Sequence, residues 1–313
     1  MSLGGFYMTD KQKGFFYAIM GPVLWGFSGS IAQYLFTEES IPTQWIVGIR
    51  LIFAGLMLVI WCYFADSKEL FAILKKPRYV IQLLAFGLLG MLPAQYTYFM
   101  AIKYGNAPTA TVLQFLGPLF IILYLSLRKL QWPRRIDIIS IALALLGTFL
   151  LVTHGHIGQL MLSPAAIFWG VCAGLSQASY TLLPRELLKR FDARIVTGWS
   201  MLLGGIVFAP FADLTNVPTL TGTAWISIIF IVTGGTMFSY LFYLQSLNYL
   251  TPSTTGMLSA FEPLTATVLA VTLLNTKVSG AELIGALLIL GITFLQALPP
   301  NLFNLKFRYK NHD

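Results

Sequence analysis

Two full charges stand well inside the apolar runs of this chain, Arg50 in "IVGIRLIFAG" and Glu262 in "LSAFEPLTATV". An ionisable group at such a place is costly to hold and is by default a functional candidate. Glu262 precedes Pro263, which has no backbone N–H to donate and loosens the turn before it. A carboxylate there could carry a proton, pair with an amine, or bond a neighbouring helix. Arg50 lies nearer the outer end of the second apolar run, where its long stem could snorkel or reach a helix-end carbonyl; gating or structure is its expected role. Neutral polar residues repeat at helical spacing around these charges. Gln95 and Tyr98 are three apart, as are Tyr240 and Tyr243, and so share a helix face. Gln114 comes one turn before Pro118, and Ser259 shares a face with Glu262. Together these residues could line a cavity that hydrogen-bonds an amphipathic solute, with Trp25, Ser28, Gln177 and Tyr180 closing it. Ordinary interhelical hydrogen bonding is the alternative for each of them.

The elements that must position these residues are membrane helices. The chain is 57% hydrophobic and only 10% charged, whereas a soluble domain carries about 25% charged residues. A spanning helix needs about 20 mostly apolar residues. Ten such runs are expected, at 14–37, 43–65, 78–101, 107–128, 134–153, 163–183, 193–212, 222–247, 253–275 and 279–298. They are unbroken and do not alternate as barrel strands would. The fold class expected is therefore an all-α integral membrane protein. The N-terminus has no cleavable signal pattern, and residues 1–7 read as a leader ahead of Met8.

Orientation follows from lysine and arginine in the short loops. Lys11, Lys13, Lys68, Lys75, Lys76, Arg78, Arg128, Lys129, Arg134, Arg135, Arg185, Lys189, Arg190, Arg194, Lys306, Arg308 and Lys310 fall on one side of a ten-helix arrangement. Lys103 and Lys277 fall on the other, beside Glu38, Glu39 and Asp213. Both termini are then expected in the cytoplasm. The net charge of +8 is distributed as these patches between apolar runs, which argues against nucleic acid as a partner.

One passage occurs twice. "YTYFMAIKYGNAPTATVLQFLGPL" (96–119) aligns without a gap to "LFYLQSLNYLTPSTTGMLSAFEPL" (241–264), with Glu262 at the place of Gly117. "GIRLIFAG" (48–55) likewise matches "GWSMLLGG" (198–205), and "WGFSGSIAQY" (25–34) matches "AGLSQASYTL" (173–182). The second copy begins after five helices, an odd number, so the two five-helix repeats, 14–153 and 163–298, are expected to be inverted, flanked by tails 1–13 and 299–313. Such halves place a substrate site near the midplane at their interface. Each repeated passage reads as a helical hairpin, the second helix starting at Asn106 with Pro108 or at Thr251 with Pro252.

With "LW-G" in helix 1, "A-P-TATVLQFLGPL" in helix 4 and "FEPLTATVLAVTLL...E-IGALLILGITFL" in helices 9 and 10, the chain resembles the EamA group of the drug/metabolite transporter superfamily over nearly its whole length. The resemblance implies ten helices in two inverted halves and transport of metabolites, including amino-acid export. Many members of that group carry a Glu just after helices 4 and 9; Gln131 and Thr276 stand there in this chain.

Other classes fit less well. An intramembrane enzyme would need a nucleophile with its base, paired acids or a metal cluster. A nucleotide-binding loop is absent from the sequence, and so is the charge ring or filter of a channel. Cys62 and Cys172 read as packing residues. His154 and His156 in "THGHIG" lack a third ligand, so neither a metal nor a cofactor is expected. Tyr104, Tyr249 and Trp132 read as interfacial belt residues. The expected function is a secondary transporter of small organic metabolites in the cytoplasmic membrane, an amino-acid-type exporter, with protons as the candidate coupling ion carried by Glu262. An importer or exchanger of a quaternary amine or nucleobase is the alternative, and a lipid flippase a weaker one.

Overall fold

A computed structural model describes residues 8–129, 135–154, 161–246, 248–250, 255 and 258–297. These residues are helical, with no strand among them. Seven helices are long and apolar enough to cross a membrane: α1 (Asp10–Thr37), α2 (Thr43–Ala72, apolar to Ala65), α3 (Pro77–Tyr104), α4 (Ala107–Arg128), α6 (Pro164–Leu188), α7 (Ala193–Ala212) and α8 (Gly222–Ser246). Three shorter apolar helices complete the described set: α5 (Arg135–Thr153), α9 (Phe261–Leu273) and α10 (Gly280–Ala297). Their outward faces are apolar. Phe64 is 82% exposed and Phe211 73%, an arrangement that suits lipid as the surrounding medium.

Local chemistry sets the ends. α1 begins four residues earlier than its apolar run because Thr9 and Gln12 form a capping box, with Gln12 N–H donating to Thr9 Oγ1 and Thr9 N–H to Gln12 Oε1 at 3.3 and 2.8 Å. α2 continues beyond the expected residue 65 to Ala72. Asn106 caps α4, its Oδ1 accepting from Thr109 N–H at 2.8 Å. The matching start at Thr251 and Pro252 lies outside the described residues, as do Gln131, Trp132, His156, residues 1–7 and the tail 299–313. The N-terminal tail is shorter than the expected 1–13, since α1 already begins at Asp10.

Two expectations of continuous helices are corrected. α4 is interrupted at Phe115–Leu116, between Ala107–Gln114 and the helix from Gly117. α9 starts only at Phe261, after a turn at Ser259–Ala260. Pro118 and Pro263 explain both breaks. Each proline lacks the N–H that would bond the carbonyl four residues earlier; the carbonyls in question belong to Gln114 and Ser259. α3 and α8 each contain a π turn, at Gly87–Met91 and Thr233–Phe238, at corresponding places ahead of the repeated passage. Glycines in both segments leave space for the wider turn.

Packing joins the two halves of the chain. α1 lies against α8 and α9, α6 against α3 and α4, α2 against α7, and α5 against α10. The α2–α7 crossing is close enough to require glycine. A Cβ on Gly55 would meet Leu202 N at 2.5 Å, and one on Gly205 would meet Ile52 N at 2.9 Å. These are the glycines of the matched "GIRLIFAG" and "GWSMLLGG" stretches. In the hairpins, the Tyr98 hydroxyl bonds Thr111 Oγ1 at 2.9 Å between α3 and α4, and Ser246 Oγ bonds Thr255 Oγ1 at 3.1 Å just beyond α8.

Candidate functional site

The helix breaks and π turns surround one enclosed region. α3 and α8 meet there through Gln95 Nε2, which donates to the Tyr240 hydroxyl at 3.2 Å. These two residues are 145 apart, each standing one residue ahead of its copy of the repeated passage and so in equivalent places. Equivalent residues of the two halves therefore touch each other.

Beside this contact lies a small recess of about 30 Å³, walled by Trp25 and Ser28 of α1, Arg50 of α2, Gln95 and Tyr98 of α3, Gln114 of α4, Gln177 and Tyr180 of α6, Tyr240 of α8 and Glu262 of α9. It adjoins a chamber of about 380 Å³ that shares Trp25, Gln114, Gln177, Tyr180 and Glu262 with it and adds Tyr243, Ser259, Phe86, Phe115 and Ile121. Every residue singled out as a site candidate thus borders one of two adjoining spaces, Arg50 included. Aromatic edges form much of the wall. The Trp25 ring lies 4.9 Å from Tyr240 and 5.3 Å from Tyr243, and Tyr180 lies 5.6 Å from Tyr240. Gln114 Nε2 donates to Gln177 Oε1 at 3.2 Å, joining α4 to α6.

The two charges are held differently. Glu262 sits in the first turn of α9 and is 7% exposed, at the end of that helix where the dipole is positive. Arg50 departs from expectation. It does not snorkel; it is 3% exposed and turned inward. Its Nε donates to Thr236 Oγ1 at 3.0 Å and its Nη2 to Gly235 O at 3.4 Å, both in the π turn of α8. Its guanidinium lies 4.2 Å from the centre of the Phe99 ring, a cation–π contact that helps offset the desolvation of a buried charge. Gly117 lines the chamber that Glu262 also borders and packs on α6, where an added Cβ would meet Gln177 Cγ at 2.9 Å.

The region is sealed at one end and reaches the surface at the other. At the closed end Gln33 Oε1 accepts the Ala107 N–H at 2.8 Å, and Gln33 Nε2 donates to Thr276 Oγ1 at 3.3 Å, tying α1 to the start of α4 and the end of α9. Glu39 accepts from Tyr34 at 3.0 Å and from Thr221 at 2.7 Å. At the other end the chamber runs to Thr181, Pro184, Arg185 and Leu188. Beyond it the Arg194 guanidinium bonds Asp192 at 2.8 and 2.9 Å and holds that carboxyl below the usual carboxylate range.

Sequence reasoning missed Thr236, Phe99, Thr111, Phe86 and Gln33. The Gly234–Gly235 pair is a signal of helix irregularity that could have drawn attention to Thr236; Phe99 and Phe86 look like any core aromatic. Elsewhere, His154 Nε2 lies 3.1 Å from Glu282 Oε1, away from the chamber. Cys62 is buried and Cys172 half-buried, both as free thiols. Tyr104 and Tyr249 are exposed.

The profile of the EamA-like transporter family matches this sequence twice, over residues 12–153 and 164–297. The chain is 35% identical over 292 residues to the uncharacterized inner membrane transporter YicL of Salmonella typhimurium, spanning 93% of this chain and 97% of that protein. It is 26% identical over 258 residues to the threonine/homoserine exporter RhtA of the same species, spanning 82% and 81%. Protein PecM of Dickeya dadantii is 24% identical over 282 residues, with 87% and 88% covered. A protein crystal structure 18% identical to this chain superposes with a TM-score of 0.62 over 90% of this chain and 96% of the other, a likeness of fold.

Proposed function

The chain belongs to the EamA-like transporter family, and on that premise we propose that it moves a small organic solute across the cytoplasmic membrane by alternating access to the central chamber, as an exporter of amino acids or related metabolites. The Gln95–Tyr240 contact carries this reading, because it places a buried polar cavity where equivalent residues of the two repeats meet. Transporters of repeated build bind solute at that interface, beside interrupted helices, and α4 and α9 are interrupted beside this cavity. The sealed end and the open end correspond to one side of an access cycle. RhtA, a threonine/homoserine exporter, supports the solute class. In this reading all ten helical runs cross the membrane as two inverted halves. The open end, near Arg185, Lys189 and Arg190, then faces the cytoplasm with both termini, and Glu262 carries the coupling proton or meets the solute.

A second reading rests on the aromatic wall. Trp25, Tyr180, Tyr240 and Tyr243 stand around the space that Glu262 borders, and aromatic faces next to an acid suit a quaternary ammonium ion. An importer or exchanger of such an amine would use the same chamber.

The test is flux. Everted vesicles containing the native chain are offered amino acids, amines and nucleobases as separate labelled solutes. Saturable uptake of at least one is expected in the native vesicles. It should fall about tenfold in Gln114→Ala and Tyr243→Ala, the scale of one lost buried hydrogen-bonding group, at unchanged expression. Uptake by the variants equal to that of the native chain would exclude the chamber as the pathway.

Topology has its own check. In a chain whose Cys62 and Cys172 are replaced by serine, single cysteines at Lys11 and Asn311 should resist an impermeant thiol reagent in intact cells and react in everted vesicles. Labelling of either from outside would refute cytoplasmic termini.

A further inference from the structure

Three buried polar atoms with no hydrogen-bond partner among the described residues belong to residues that wall the small recess: Ser28 Oγ, Arg50 Nη1 and Gln114 Oε1. A lone unpartnered atom can be incidental. Three around a space of about 30 Å³ are the outline of something polar that belongs there, because a buried donor or acceptor left unpaired carries its full desolvation penalty.

Their chemistry describes the occupant. Arg50 Nε and Nη2 are engaged by Thr236 and Gly235, which fixes the guanidinium and leaves Nη1 as a charged donor. The Ser28 hydroxyl can add a second donor. Gln114 already donates through Nε2 to Gln177, so its Oε1 remains as an acceptor, on the same wall as the Glu262 carboxyl. A charged donor, a hydroxyl, an amide oxygen and a carboxyl group therefore border one recess. The recess is large enough for only a few heavy atoms, and the adjoining chamber offers apolar wall at Phe86, Phe115, Ile121, Leu188 and Leu244.

We propose that Arg50 is the carboxylate-binding residue of this cavity and that Glu262 with Gln114 Oε1 receives the ammonium group, so that the solute is a compact zwitterion with an apolar side chain in the chamber. This assignment rests on the transporter reading above and narrows it. An amine without a carboxylate leaves Arg50 Nη1 unpaired, and an acid without an amine leaves Glu262 facing a second anionic ligand. Discrimination arises from those unmatched groups.

The purified full-length protein in lipid nanodiscs is titrated with two probe triads, followed by intrinsic fluorescence and thermal shift. One is L-leucine, 3-methylbutylamine and 4-methylpentanoate; the other is L-phenylalanine, 2-phenylethylamine and 3-phenylpropionate. In at least one triad the zwitterion should bind about tenfold or more tightly than either fragment, the scale of one charge-assisted contact. Arg50→Gln should abolish the advantage of the zwitterion over the amine without weakening the amine, whose repulsion by the guanidinium is relieved, and Arg50→Lys should restore part of that advantage. A purely structural Arg50 would weaken all probes of a triad alike. That pattern overturns the proposal, as do zwitterions binding no better than both fragments or not at all. The vesicle flux measurement stands apart. Saturable uptake of a non-zwitterionic solute there, with no zwitterion bound here, would sink the zwitterion assignment and leave the transporter reading in place; loss of all flux would sink the transporter reading.

Discussion

Glu262→Gln is expected to leave the fold intact and to lower transport by about tenfold or more, the scale of a lost hydrogen bond to a charged group. The amide matches the carboxyl in shape and can still bond its neighbours, so thermal stability should stay near that of the native chain. Only the charge and the exchangeable proton go. If Glu262 carries the coupling proton, flux in the variant should also lose its dependence on pH, and solute binding at low pH should persist, because the protonated acid and the amide are alike. If Glu262 instead pairs with a solute ammonium, binding should fall at every pH at which the native carboxyl is charged. Flux and equilibrium binding measured across pH separate these outcomes. Native flux with a native pH profile would leave the residue as a packing element of α9.

Gly26→Ala should destabilise the molecule and disturb the candidate site at once. Gly26 lies where α1 crosses the start of α9, and an added Cβ would sit 2.6 Å from the Glu262 carbonyl oxygen and 2.7 Å from Thr265 Cβ. A backbone oxygen cannot rotate away as a side chain can, so the two helices must separate. Overpacking of this kind costs about 1–3 kcal/mol. The opposing gain in helix propensity, about 1 kcal/mol for glycine to alanine, is smaller than most of that range. The melting temperature should fall. Transport should fall further than stability alone explains, because the displaced segment carries Glu262. Gly280→Ala is the control: nothing lies within 4 Å of its added Cβ, and at the first position of α10 it should melt no lower than the native chain does. Equal melting temperatures for the two variants would mean that the α1–α9 contact is looser than described.

The membrane class and the residues that border the cavity were legible in the sequence for one physical reason. In hydrocarbon a polar side chain is expensive, so those present in the apolar runs stand out without any structure. Trp25, Gln95, Tyr98, Gln114, Gln177, Tyr243 and Glu262 were visible on those grounds, and helical spacing put Gln95 with Tyr98 and Ser259 with Glu262. The repeated passage added that the two sets belong to equivalent elements. Helix ends were legible where a side chain makes them, as at Asn106.

Arg50 shows where this reasoning stops. Its position along α2 is compatible with snorkelling outward, and nothing in "GIRLIFAG" announces that the side chain turns inward. That direction depends on partners far away in sequence, namely Thr236, Gly235 and Phe99. The breaks in α4 and α9 were half legible. The prolines are plain in the sequence, but hydropathy averages across them and reads one helix. The π turns that set the phase of Gln95 and Tyr240 left only glycines as a trace. Which polar atoms remain unpaired was decided by tertiary structure alone. Ser28 Oγ, Arg50 Nη1 and Gln114 Oε1 lie on three helices from separate parts of the chain, and whether each finds a partner is settled by the packing of all the others. Composition and spacing determined that this chain folds in a membrane around polar residues contributed by two repeats. Only the packing of those repeats decided that the residues enclose one recess bordered by both Arg50 and Glu262.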